Sequence, residues 1–276
     1  LVYLSLANKL VHDFRPEAVT IAEDVSGMPG MCRTIEDGGI GFDFRLGMAI
    51  PDYWIRILED ERDEDWNLDE MWGVLTNRLP KVRTVAYAES HDQAMVGDKT
   101  IAFRLMDKEM YFAMNKESEN LVVERGMALH KMIRLMTIST GGDAYLNFMG
   151  NEFGHPEWID FPREGNEWSY AHARRQWSLA DNGFLRYGQL ALFDKEMLKV
   201  VKKHKVLSDG YPYKWHHDQE DQTLAFSHKG LYFVFNWSPE KSSPDYRVEV
   251  PWAGKYTVEL STDEARFGGF DRQVKG

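Results

Sequence analysis

VAYAESHDQAMVGDKT (85–100) opens on a short apolar run, closes it on Glu89, and follows at once with His91 and Asp92. TIAEDVSGMPG (20–30) is built the same way: an apolar run reaches Glu23 and Asp24 just before the turn residues Gly27 and Pro29. Each stretch reads as a buried parallel strand that stops at an acid. In a barrel of parallel strands the C-terminal strand ends converge on one mouth, and the chemistry is done there. Two strands delivering carboxylates to one place point to acid/base work on a bond between sugars.

The neighbouring segments extend the same pattern. Residues 2–14 carry Leu4, Ala7, Leu10, Val11 and Phe14 at helical spacing, stopped by Pro16. Residues 18–22, 40–46, 84–89 and 144–149 read as strands. Helical patterns cover 48–60, 68–77, 99–106 and 121–139, and 172–204 reads as two helices broken near Asn182-Gly183. Strands alternating with helices predict a parallel sheet with helices outside. Only four strands precede a change of texture near residue 205, where a closed barrel needs eight. About half a barrel is therefore expected over 1–204. Beyond it, TLAFS (223–227), LYFVFNW (231–237), YRVEV (246–250) and YTVEL (256–260) have strand period, and 205–276 is expected to be a truncated all-β domain, one part of an antiparallel β-sandwich. The fold class is thus α/β plus all-β.

Composition removes several function classes. The chain has 276 residues, 43% hydrophobic and 28% charged, with a formal net charge of −11 and its acids and bases interspersed. No basic stripe is available to hold phosphates, so neither nucleic acid nor an anionic membrane is expected as a partner. No apolar run is long enough to span a bilayer. Cys32 is the only cysteine, which excludes an intramolecular disulfide and fits a reducing compartment such as the cytoplasm. The chain begins at Leu1, within a helical pattern and with no signal-peptide pattern, so its first residue reads as a cut or processed end.

Several residues can carry chemistry. A crowded mouth would strip water from Glu23, raise its pKa and let it donate a proton to a leaving oxygen. Taken alone it would more simply be a structural acid, but a second acidic strand end follows two strands later. Asp24 reads as support for the loop at 25–29. His91 and Asp92 can hold sugar hydroxyls through bonds that strengthen as charge develops on the ring; the plainer alternative is a surface ion pair of Asp92 with Lys99. A metal is a weak reading, since no second His stands at ligand spacing, and no cofactor is expected. In GDAYLNFMGNEFGHPEWIDFPR (142–163), Asn151, Glu152, His155 and Trp158 would sit on the mouth, the aromatic faces stacking on sugar rings, although each aromatic singly is more simply loop packing. Arg45 either binds a carboxylate in the mouth or forms a helix-side salt bridge.

TIAEDVSGMPG, DGGIGFDFRL, YAESHDQAMVGDKTIAF, ALHKMIRLMT and YLNFMGNEFGHPEWIDFPR together resemble the alpha-amylase family of retaining glycoside hydrolases and transglycosylases, and within it the eukaryotic-type 1,4-alpha-glucan branching enzymes. RFGGF (266–270) is similar to that group's C-terminal domain. The resemblance implies the C-terminal half of a (β/α)8 TIM barrel, about strands five to eight. Glu23 then matches the general acid/base, and His91 and Asp92 match the pair that holds hydroxyls and stabilises the transition state. Arg45, Asn151, Glu152 and Trp158 are expected to bind substrate, an alpha-glucan such as glycogen, amylose or amylopectin. The family's nucleophilic aspartate would precede residue 1, so the missing N-terminal half of the barrel is an expected partner and the segment alone is expected to be inactive. A hydrolase of the same family and a non-catalytic glucan-binding module are the competing readings.

Overall fold

A computed structural model describes residues 1–79, 81–93 and 99–272. Part of the run quoted first, residues 94–98, lies outside them. Helix α1 (Val2–Phe14) leads into strand β1 (Ile21–Ala22), then β2 (Phe44–Leu46), α2 (Ala49–Asp60), α3 (Leu68–Thr76) and β3 (Thr84–Ala86). Next come α4 (Ile101–Met106), α5 (Glu109–Phe112), α6 (Leu121–Thr140), β4 (Ala144–Tyr145), α7 (Ser178–Asp181) and α8 (Tyr187–Lys203). Side-chain caps fix the starts of α3, α4 and α6: Asn67 accepts from the Asp69 and Glu70 amides, Thr100 from Phe103, and Asn120 from Val123.

Strands β1 to β4 form one parallel sheet in sequence order, with Ile21 opposite Phe44, Arg45 opposite Thr84, and Val85 opposite Ala144. All four are shorter than the apolar runs that announce them, because only two or three residues of each meet a neighbour in ladder geometry. Buried chain continues past the ladder: Tyr87, Ala88, Glu89 and Ser90 are all covered. Gly142 allows the tight approach of β4, since a Cβ there would stand 2.3 Å from the Thr84 carbonyl oxygen. The expected pair of helices over 172–204 is present, though the first is a single turn.

The last part of the chain holds β5 (Tyr213–Asp218), β6 (Thr223–His228) and β7 (Leu231–Asn236), an antiparallel sheet with β6 central. Lys229 and Gly230, both at positive φ, make the two-residue β6–β7 turn. Two expectations fail here. YRVEV (246–250) and YTVEL (256–260) form no strand, so the described residues hold one three-stranded sheet and no second layer of a sandwich. Alternation makes a strand only where a partner completes the ladder and a facing layer buries the apolar side. These two segments have neither, and Val250, Tyr256 and Val258 stay exposed. Side chains hold the first of them instead: Tyr246 bonds Thr223 and Asp221, and the Tyr232 hydroxyl donates to the Glu249 carbonyl. The third difference is β5, whose sequence YKWHHD lacks a clear apolar face and is drawn into the sheet by β6.

One core joins the parts. Trp54 of α2, Trp66 and Trp237 meet with ring centroids 5.6–6.4 Å apart, beside Ile133 and Met136 of α6 and Leu224 and Phe226 of β6. The Trp54 indole donates to Thr137 of α6 at 2.9 Å, which satisfies a polar atom that burial would otherwise strand. At the other end of the chain, α1 leaves its apolar side uncovered: Leu6, Leu10 and Phe14 are exposed and its one buried residue is Asn8, bonded to the Ile40 carbonyl.

Candidate functional site

Glu23 follows β1 by one residue, and His91 and Asp92 follow the buried extension of β3. Parallel pairing through β2 puts both strand exits at one end of the sheet. One ligand-type atom from each of Glu23, His91 and Asp92 lies within 4.8 Å of the others, and all three residues are exposed. The His91 Nε2 is 3.1 Å from Asp92 Oδ1. A short knit of bonds presents this pair: the Ser90 amide and hydroxyl both donate to Gln93 Oε1 at 2.9 Å, and the Asp92 amide donates to Ser90 Oγ at 3.3 Å.

Arg45 stands beside this group. Its Nη2 donates to the Asp24 carbonyl at 2.6 Å and reaches Asp24 Oδ2 at 3.5 Å, while the same carboxylate oxygen accepts from Ser26. Arg45 therefore braces the chain immediately after Glu23, and Asp24 supports its own loop. The other expected residues occupy the loop after β4. Asn151 is buried, and its Oδ1 finds no partner among the described residues. Glu152 accepts from the Gly150 amide at 2.7 Å, and Trp158 stacks on His172 with ring centroids 6.4 Å apart. None of their hydrogen bonds or ring contacts among the described residues reaches Glu23, His91 or Asp92. Gly150 and Gly154 set this loop at φ +95° and +70°, and a Cβ at either would collide with Arg175 or Leu190.

Burial falls on a different acid from the one expected. Glu23 is exposed, whereas Glu89 is 2% exposed. The sequence pattern ends both runs on a carboxylate but cannot tell which one the rest of the chain will cover. Glu89 accepts from the Ile101 amide at the start of α4. Burial pushes its pKa up to about 7, opposed by that amide and by Arg175, Arg134 and Arg104. The same burial raises the pKa of Tyr87, with Asp52, Asp92 and Glu23 adding to it. His155, covered and beside Arg175, is held down to about 4 and stays neutral; its Nε2 accepts from the Gln176 amide at 3.1 Å. Arg175 pins the loop by donating to the carbonyls of Met149 at 2.7 Å and Glu157 at 2.5 Å. No sequence signal marks Arg175, which lies in a run without periodicity and far from β4. Glu89 carried a signal, an acid closing an apolar run, and only its burial was hidden.

The raised pKa of Glu89 has a stability consequence. Its neutral form is favoured in the fold, so its contribution is complete below the ordinary carboxylate pKa of about 4.5 and is lost as pH rises through about 7. Glu89→Gln removes that loss. In urea unfolding, the variant's midpoint is expected to gain on the wild type's between about pH 5 and about pH 8; parallel curves would mean that Glu89 is solvated.

Comparison with known proteins places the chain. Residues 213–276 match the model described as "Alpha amylase, C-terminal all-beta domain". Across 272 residues, 98% of this chain, the sequence is 52% identical to the 1,4-alpha-glucan-branching enzyme of Rhizophagus irregularis and 53% identical to that of Solanum tuberosum. Over 274 residues it is 54% identical to the enzyme of Candida glabrata. The chain belongs to the 1,4-alpha-glucan-branching enzyme family. It spans 40%, 32% and 39% of those three relatives' lengths. Another member, from Oryza sativa, is named as chloroplastic/amyloplastic. The chain also superposes on a crystal structure of Ttha1563 from Thermus thermophilus with a TM-score of 0.50, over 87% of this chain and 45% of that one, at 16% identity, a likeness of fold alone. Among the described residues, no helix of this family member is long and apolar enough to cross a membrane.

Proposed function

We propose that this chain supplies the acid/base and transition-state groups of a branching transferase, which moves an alpha-1,4-glucan segment to a 6-hydroxyl by retaining double displacement. The observation that carries this reading is the meeting of Glu23, His91 and Asp92 within 4.8 Å at the exits of two parallel strands. Glu23 protonates the departing glycosidic oxygen as an aspartate attacks the anomeric carbon. Ionised, it then takes the proton of the acceptor 6-hydroxyl, whose oxygen displaces the aspartate. His91 and Asp92 hold ring hydroxyls as positive charge develops. Arg45, Asn151, Glu152 and Trp158 line the glucan path. The nucleophile comes from sequence before residue 1.

Residues 1–204 are read as strands five to eight of a (β/α)8 barrel, and 205–276 as the start of the all-β domain. The parallel sheet in sequence order supports this. So does the uncovered apolar side of α1 and β1, where Leu10, Phe14 and Ile21 are exposed and the missing N-terminal half would pack. That packing, with the glucan itself, supplies the desolvation that Glu23 lacks in this chain alone. The cytoplasm, or a plastid in a plant, is the location that fits.

Amylose tests the reading. The longer protein that carries this chain is expected to shift the iodine colour of amylose with few new reducing ends, whereas purified 1–276 forms no 1,6 branches. Branching by 1–276 alone would refute the assignment of the nucleophile. Abundant reducing ends would make the protein a hydrolase. Glucan binding without turnover by the longer protein would make it a binding module.

A further inference from the structure

The buried carboxylate of Glu89, three residues beyond β3, has no part in the reaction proposed above, yet it sits two residues before His91. Its bond to Ile101 is unusual in position. Ile101 is the first residue of α4, so no carbonyl of that helix can accept from its amide. Thr100 caps the Phe103 amide instead, which leaves the Ile101 amide to Glu89. The strand exit is thus tied to the start of the next helix across the span that contains His91 and Asp92. Arg175, Arg134 of α6 and Arg104 of α4 lie near enough for their charges to favour its ionised form. Arg175 in turn holds the carbonyls of Met149 and Glu157. One side chain therefore joins the strand exit that leads to His91 and Asp92 to the start of α4.

We propose that Glu89 is a positioning residue, which through its bond to the Ile101 amide fixes the Ser90–Gln93 turn and so sets where His91 and Asp92 meet the sugar. A fully buried acid is a poor choice for stability alone, because an apolar residue of similar size would fill the space without a desolvation cost. Its use here is reach: the side chain extends from the strand end to the helix start. For activity the proposal rests on the roles given above to His91 and Asp92; for geometry it does not.

Two substitutions separate reach from charge. Glu89→Gln keeps the length and an acceptor oxygen and loses the charge. Glu89→Asp keeps the charge and is one methylene too short. In the longer protein that carries this chain, the Asp variant is expected to lose kcat on the order of 10²-fold, the cost typical of a reacting group held about 1 Å out of place. KM should stay within about twofold, and the Gln variant should retain most of the rate. An active Asp variant with an inactive Gln variant would overturn the proposal, as would kcat falling only in proportion to the unfolded fraction. A third measurement needs no variant. In 1–276, the Ile101 amide proton is expected to exchange with solvent as slowly as the interior amides of α4. Free exchange would show that the bond does not hold and would end the proposal. If the longer protein formed no branches, the reading of its function would fail, while the exchange of Ile101 would still decide the role of Glu89.

Discussion

Glu23→Gln is expected to lower branching by the longer protein that carries this chain by about 10²–10⁴-fold, the range over which a positioned general acid/base contributes. The amide cannot give up a proton to the departing oxygen, nor later take one from the 6-hydroxyl. Both halves of the proposed double displacement would be lost with one atom. Folding should scarcely notice. Glu23 is exposed, and no hydrogen bond of its carboxylate is found among the described residues, so the change in stability should stay within about 0.5 kcal/mol. Retardation of 1–276 in glycogen-containing gels should be the same for wild type and variant. Activity near the wild-type level would remove Glu23 from the mechanism. Loss of glucan retardation together with activity would make it a binding contact instead.

The largest effect on folding is expected at Asp194→Ala. Asp194 of α8 forms an ion pair with Arg134 of α6, whose side chain is 1% exposed. Asn147 completes the group, accepting from Arg134 at 3.0 Å and donating to Asp194 at 3.3 Å. Removing the carboxylate leaves a buried guanidinium without its hydrogen-bonded ion-pair partner, which costs about 3–5 kcal/mol. That is a large share of the roughly 5–15 kcal/mol by which domains are stable. Replacing both partners with apolar residues, Arg134→Met with Asp194→Leu, should recover most of the loss, because no charge is then stranded. Urea unfolding of the single and double variants gives the answer. A single variant within about 1 kcal/mol of wild type, at about the cost of an exposed pair, would show that water reaches Arg134.

The resemblance of five runs to one enzyme family is legible in the sequence, and so are most helices. The longest, α6, runs over 121–140 against an expected 121–139, because a long apolar period with Asn120 at its start leaves little choice of register. The β6–β7 hairpin was legible because two runs of strand period, 223–227 and 231–237, stand a few residues apart, and Gly230 takes one of the positive φ values that a two-residue turn requires. The strands at 246–250 and 256–260 were misread because alternation is a necessary condition that the pattern itself cannot complete.

Local sequence, then, determined the order of strands in the parallel sheet and which carboxylates stand at their exits, since each of these follows from the period of a few adjacent residues. Only tertiary structure decided which of those carboxylates lost its water. Glu89 is buried where the charges of Arg104, Arg134 and Arg175 act on it from α4, α6 and the loop beyond β4, while Glu23 stays in solvent. Desolvation is a property of everything that packs around a group, and those neighbours lie up to 86 positions further along the chain, as the step from Glu89 to Arg175 shows.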